Sequence, residues 1–191
     1  TNYDHFDGWV QLAEDAGASL GQTLDMSADT SIETSGSDDT LVADGTQSAF
    51  KQLWEGQSKT LRAIDRSMKK LYVTSSIMDN YLSTLEDTQN ETGQMNLEDG
   101  KTSVRYRGVE VVEVKGWDTH LADTNNPQKT AIGANMIVLT TPDNLIVGAD
   151  IMNPNNQVKV WYSEDDEVIR MKIKFKLGAQ ILHPELMSLA T

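Results

Sequence analysis

Three histidines, His5, His120 and His183, are the side chains best suited to proton transfer or metal ligation near neutral pH, and none has a partner at ligand spacing. Packing or surface exposure is therefore the expected fate of each. The acidic doublets Asp38/Asp39 and Asp165/Asp166 lie in polar, turn-like stretches. Glycoside hydrolysis needs two carboxyls held apart across a cleft, which adjacent turn residues do not supply. The stretch "DDTLVADG" is superficially like a calcium loop, but Thr40 and Val42 stand where that loop needs oxygen ligands in register. Cysteine is absent, which excludes disulfides, thiolate metal sites and cysteine nucleophiles. No phosphate-cradling glycine loop or serine elbow is present. The triplet "NET" at Asn90 matches a glycosylation acceptor but lacks the secretory context that would use it. No catalytic, cofactor-binding or metal-binding residue is expected.

The remaining chemical candidate is "RMKIKFKL", residues 170–177. Arg170, Lys172, Lys174 and Lys176 alternate with Met171, Ile173, Phe175 and Leu177, the period-2 pattern of a half-buried strand. Such a strand is apolar on one face and basic on the other. Its basic face either pairs with nearby acids such as Glu164, Asp165 or Asp166, or meets an anionic partner; solvated charge is the more common case.

The 191-residue chain carries 16 Lys and Arg against 29 Asp and Glu, a formal net charge of −13. The excess is uneven: residues 1–50 contain ten acids and no Lys or Arg. General nucleic-acid binding is disfavoured by that balance, since it needs a net positive surface. With 38% hydrophobic and 24% charged residues the composition is globular, and no apolar run reaches the roughly 20 residues of a membrane helix. The opening "TNYDHFDGWV" has no Met, basic n-region or apolar core, so a trimmed or processed piece of a longer, cytoplasmically made protein is the expectation.

These residues must be positioned by elements that the patterning suggests. "HFDGWVQLAEDAG" predicts a helix capped by Asp7 and ended by Gly17. Residues 18–46 read as a polar loop or insertion. "TQSAFKQLWEGQSKTLRAIDRSMKK" predicts one long helix, weakened at Gly56, with Lys69 and Lys70 at its C-terminal end. "LYVTS" predicts a buried strand and "SIMDNYLSTLED" a second helix, with Ser76 as cap and Met78, Tyr81, Leu82 and Leu85 facing inward. "TQNETGQMNLEDGK" reads as a polar connection. "SVRYRGVEVVEV" predicts strands around a turn at Gly108, "LADTNNPQKTAIGA" a loop, and "NMIVLTT" and "LIVGAD" strands joined by "PDN". "VKVWYS" and "EVIRMKIKFKLGAQIL" predict a final pair across the "EDDE" turn. Trp54 and Tyr81 suit a core; Trp161 and Tyr162 lie on opposite strand faces, so at least one nears a surface. The fold class expected is α+β with a mixed sheet.

In this order the segments "FDGW", "LYVTSS", "MDNYLSTLED", "YRGVEVVEV", "NMIVLTTPDNLIVGAD" and the C-terminal hairpin resemble the major capsid protein of tailed phages, the Hong Kong 97-type fold. Glu110 stands where that family commonly has Pro, and the N-terminal arm, extended loop and spine helix that precede these segments in the family are not here. The resemblance implies an axial-type α+β domain over residues 1–155, including the polar insertion near 18–46. It implies a peripheral-type β-hairpin and C-terminus over 156–191, where Met171, Ile173, Phe175 and Leu177 would face the spine helix.

What the resemblance implies for function is a structural shell subunit of a phage or prophage virion, not an enzyme. Its partners would be copies of itself in hexamers and pentamers, made in the bacterial cytoplasm, with no cofactor and no membrane. Arg170, Lys172, Lys174 and Lys176 would form a lumen-facing basic face in weak, non-specific contact with packaged double-stranded DNA. The family's shell crosslinking uses a lysine of the extended loop, so no crosslinking residue carries over. Readings from other classes are a small-ligand or glycan-binding α+β module with an aromatic-lined cleft, and, with least support, a hydrolase using an Asp pair. A chain hiding its apolar parity by dimerising or edge pairing is also expected.

Overall fold

The computed structural model describes residues 8–34, 41–87, 95–98, 101–117, 135–149, 158–173 and 177–191. Four helices lie wholly within those residues, set among eleven strands: α1 Trp9–Ala16, α2 Gly45–Glu55, α3 Lys59–Ala63 and α4 Ser75–Asp87. The strands are β1 Gln22–Leu24, β2 Lys70–Val73, β3 Met95–Glu98, β4 Lys101–Tyr106, β5 Val109–Glu113, β6 Ile137–Thr140, β7 Leu145–Ala149, β8 Val158–Ser163, β9 Val168–Ile173, β10 Leu177–Ile181 and β11 Ser188–Ala190.

Seven strands make one sheet in the order β1-β11-β6-β2-β5-β4-β3. The pairs β1/β11 and β2/β5 are parallel and the others antiparallel, so the sheet is mixed, as the α+β reading expects. Its central strands are covered on both faces. Leu71 and Val73 of β2, with Ile137 and Leu139 of β6, pack with Phe50 and Leu53 of α2 and Tyr81 and Leu85 of α4. Met136, Val138 and Leu189 point the other way, into a second cluster with Ala13, Ile181 and Met187. Two-sided burial is the physical reason "NMIVLTT" shows no polar alternation. Phe50, Tyr81 and Tyr106 form an aromatic triad in the first cluster, with centroids 5.1, 5.2 and 6.3 Å apart in edge and tilted geometry.

Several expectations are met. Gly17 (φ 39°) ends α1, its N–H bonding to the Ala13 and Glu14 carbonyls. Arg107 (φ 51°) and Gly108 (φ 88°) turn β4 into β5 in the left-handed geometry of a tight hairpin. Asn144 of the "PDN" turn is buried and fully engaged. Its Nδ2 donates to Thr140 Oγ1 (3.1 Å) and the His183 carbonyl (3.0 Å), and its Oδ1 accepts from His183 N–H (2.7 Å).

Others need correction. The single long helix is broken: α2 ends at Glu55, Gly56 (φ −86°, ψ 1°) leaves the helical path, and α3 and a 3-10 turn at Arg66–Met68 follow. Ser58 and Asp65 drive the breaks by accepting from the N–H groups of Leu61 (3.0 Å) and Ser67 (2.8 Å), competing locally with helix continuation. The segment read as a surface loop sends Leu20, Met26 and Ile32 into the interior and contributes β1. Glu33, also buried, accepts from Asn135 Nδ2 (2.9 Å), whose Oδ1 accepts from Ser76 Oγ (2.7 Å). Ser76 therefore lies inside α4 rather than capping it. The supposed polar connection contains β3, paired with β4. Residues 168–181 divide into β9, paired with β8, and β10, paired with β7. Asp7 and residues 118–134 and 150–157 lie outside the described residues.

Candidate functional site

The β8–β9 ribbon carries the basic residues singled out by sequence. Its register sets Lys159 opposite Lys172 and Trp161 opposite Arg170, so these share one face. Val160 faces Met171 and Tyr162 faces Ile169 on the other. Trp161 and Tyr162 do lie on opposite faces, and both are exposed. The apolar face is open too: Ile169 is 75% and Met171 64% exposed. Arg170 and Lys172 are exposed on the basic face; Lys174 and Lys176, like Phe175, lie outside the described residues. Arg170 Nη2 donates to the Asp166 carboxylate four residues before it. Part of the basic stripe is thus neutralised within the ribbon, at the acidic turn. The Lys159 ammonium sits 5.8 Å from the Trp161 ring centroid.

The sequence-level chemistry elsewhere stays dispersed. His183 Nδ1 lies 3.4 Å from Glu185 Oε1 at an exposed site. His5, His120, Asp38 and Asp39 are outside the described residues. Asp165 is exposed in the ribbon turn, apart from any cleft. Among the described residues no group of three or more His, Cys, Asp or Glu is placed to hold a metal, and no helix is long and apolar enough to cross a membrane.

A cleft that sequence reading missed lies beyond the C-terminal end of α2. It encloses about 580 Å³ and is lined by Trp54, Glu55, Arg62, Ile64, Asp65, Arg66 and Lys69. The break at Gly56 creates it, because a continuous helix would spread these cations along one rod. Lys69 is only 2% exposed. Its ammonium donates to Gln57 Oε1 (3.0 Å) and stands 5.3 Å from the Trp54 centroid, with the Arg66 guanidinium 5.4 Å from the same ring. Burial pulls the Lys69 pKa down, and the charges of Arg66 and Arg62 pull it the same way; only Asp65 opposes them. Asp65 is held below the ordinary carboxylate range chiefly by the Ser67 hydroxyl and N–H. The two guanidiniums are anchored on backbone carbonyls: Arg62 Nη2 donates to Glu55 O (2.6 Å) and Arg66 Nη1 to Arg107 O (3.3 Å). The sequence signal was present as Arg62, Arg66 and Lys69, but on an uninterrupted helix it reads as dipole compensation.

No family model and no curated protein matches the chain. Solved structures do. A chain of Mycobacterium phage Che8 aligns with TM-score 0.52 and 16% identity over 95% of this chain. A virus-like particle from Pyrococcus furiosus aligns at TM-score 0.40 and 13% identity over 95% of this chain. The mature capsid of bacteriophage PhiM1 aligns at 0.47 and 11% over 89%. The chain spans 56%, 60% and 50% of those three chains. The first likeness is one of fold: the chain shares the α+β fold of that Che8 phage chain.

Proposed function

We propose that the protein is a structural shell subunit of a tailed phage or prophage. It acts by self-association into hexamers and pentamers that enclose double-stranded DNA, without catalysis. The observation that carries this reading is the shared fold with the Che8 phage chain over 95% of the present one. The open apolar face of the β8–β9 ribbon supports it, since contiguous exposed apolar surface marks an interaction site. In this reading residues 1–155 form the axial-type unit, and the ribbon begins the peripheral-type part at 156–191. The protein resides in the virion after assembly in the bacterial cytoplasm.

The basic face of the ribbon is proposed to tolerate packaged DNA. Lys159 directly opposite Lys172 is a like-charge cross-strand pair, which is destabilising in isolation and is relieved by an anionic cover. Arg170, already bonded to Asp166, contributes less. Electron microscopy of the longest natural product expressed alone tests the shell reading: closed particles are expected, and a uniformly monomeric product under assembly conditions overturns it.

A further inference from the structure

We infer that the cleft lined by Trp54, Arg62, Arg66 and Lys69 is a binding site for a small phosphate, either inorganic phosphate or the phosphate end of a compact phosphomonoester. The inference goes beyond the shell reading and does not rest on it. Its core is that three cations are fixed in place without being neutralised. Lys69 lies almost wholly out of solvent, and so does Gln57. The Lys69 ammonium donates to Gln57 Oε1 (3.0 Å), and Gln57 Nε2 donates in turn to the Trp54 carbonyl (3.0 Å), which keeps the amide oxygen toward the lysine. Arg62 and Arg66 are held on the carbonyls of Glu55 and Arg107. The Trp54 ring centroid lies 5.3 Å from the Lys69 ammonium and 5.4 Å from the Arg66 guanidinium. An amide, two carbonyls and an indole ring are all neutral partners. They orient the cations and leave the charge available.

Other cations of the chain do find carboxylates: Lys70 Nζ meets Glu110 Oε2 at 3.1 Å, and Arg170 meets Asp166. With 29 Asp and Glu against 16 Lys and Arg, such partners are plentiful. Glu55 and Asp65 even line this cleft, yet no ion pair joins them to its cations among the described residues. Asp65 Oδ1 is turned to the Ser67 N–H and hydroxyl instead. A nearly buried ammonium without a counter-charge is costly, and an anion entering the cleft offsets that cost. Burial first, then the charges of Arg66 and Arg62, pull the Lys69 pKa down, so the three cations act in one field. The remaining guanidinium N–H groups of Arg62 and Arg66 suit the several oxygens of a phosphate. Size and charge select a small ligand. The cleft encloses about 580 Å³, room for a phosphate with a short organic tail. The net charge of −13 repels a long polyanion, whereas a compact dianion inside the cleft meets the local cations first.

Equilibrium dialysis of the full 191-residue chain against radiolabelled inorganic phosphate, with ionic strength held constant by chloride, tests the site. Saturable binding to a single class of site is expected. R62Q, R66Q and K69M are each expected to weaken it about tenfold, the scale of one lost charge-assisted hydrogen bond. K51Q and K59Q change exposed lysines outside the lining and are expected to leave it unchanged. Urea midpoints control for folding; R62Q and R66Q alter exposed side chains, so they carry the test even where K69M fails to fold. A competition arm separates the sources of phosphate. Glycerol phosphate is expected to displace the label, and a single-stranded oligothymidylate without terminal phosphate is not. An oligothymidylate that displaces it more effectively, and loses that ability in R62Q/R66Q, assigns the cleft to a nucleic-acid strand and overturns the inference. Phosphate that does not saturate, or that binds R62Q/R66Q as well as wild type, also overturns it and leaves the shell reading standing. A chain that binds phosphate as expected but forms no particles overturns the shell reading alone.

Discussion

At the scale of the residue, burial decides more than type. Gly45 opens α2 where an added Cβ would lie 2.2 Å from the Ile32 carbonyl oxygen, a backbone atom with little room to move. G45A is therefore expected to lose about 1–3 kcal/mol in urea unfolding. An added Cβ at Gly56 meets first the far end of the flexible Gln22 side chain, so Gly56→Ala is expected to cost clearly less. Lys69 gives a pH prediction. Its folded pKa is depressed, so over the alkaline range below the ordinary lysine value the unfolded chain holds a proton that the folded chain has released. Stability attributable to Lys69 then rises with pH through that window. A urea series from neutral to alkaline pH should show the stability of wild type relative to K69M rising in that direction, and a pH-independent difference would refute it. Asp65 has the same sign at the acid end of the scale: its depressed folded pKa gives stabilisation present above the ordinary carboxylate value and lost as pH falls through the folded one.

At the scale of the element, strong periodicity was legible and interruption was not. The stripes of α2 and α4 and the unbroken apolar β6 could be read directly, because each follows from which faces are covered. The breaks at Ser58 and Asp65 could not, because a cap and a helical interior position share the same residue types until tertiary contacts choose between them. Lys69 illustrates the cost: at the end of an intact helix it is a solvated cation, whereas after two breaks it is buried over Trp54. Burial of Met26 and Ile32 in a Ser/Thr/Asp-rich stretch was hidden for a similar reason, since two apolar anchors among polar residues leave no period. Where α2 meets α4, Phe50 joins the aromatic triad and Thr46 Oγ1 donates to the Ile77 carbonyl (3.2 Å). F50A removes the shared ring and is expected to cost about 3–5 kcal/mol, read as a urea or thermal shift.

At the scale of the whole molecule, the body and the ribbon have different needs. The seven-stranded sheet is clothed on both faces at its centre, whereas β8–β9 makes its own two-stranded sheet, which in water is marginal by itself. Replacing Ile169 and Met171 by Lys is expected to leave the unfolding midpoint of the body unchanged, because both are already solvent-facing. Under the shell reading the same change is expected to cut particle yield sharply in electron micrographs; undiminished yield would exclude that face from the assembled contacts. The placement of β11 has a consequence of another kind. Among the described residues this strand alone bridges β1, its parallel partner, and β6, its antiparallel one. While translation is still short of Ser188, β1 has no strand partner among the described residues and one edge of β6 is bare. A chain still on the ribosome thus cannot close this sheet, and chain order itself delays completion of the fold until synthesis has passed that point.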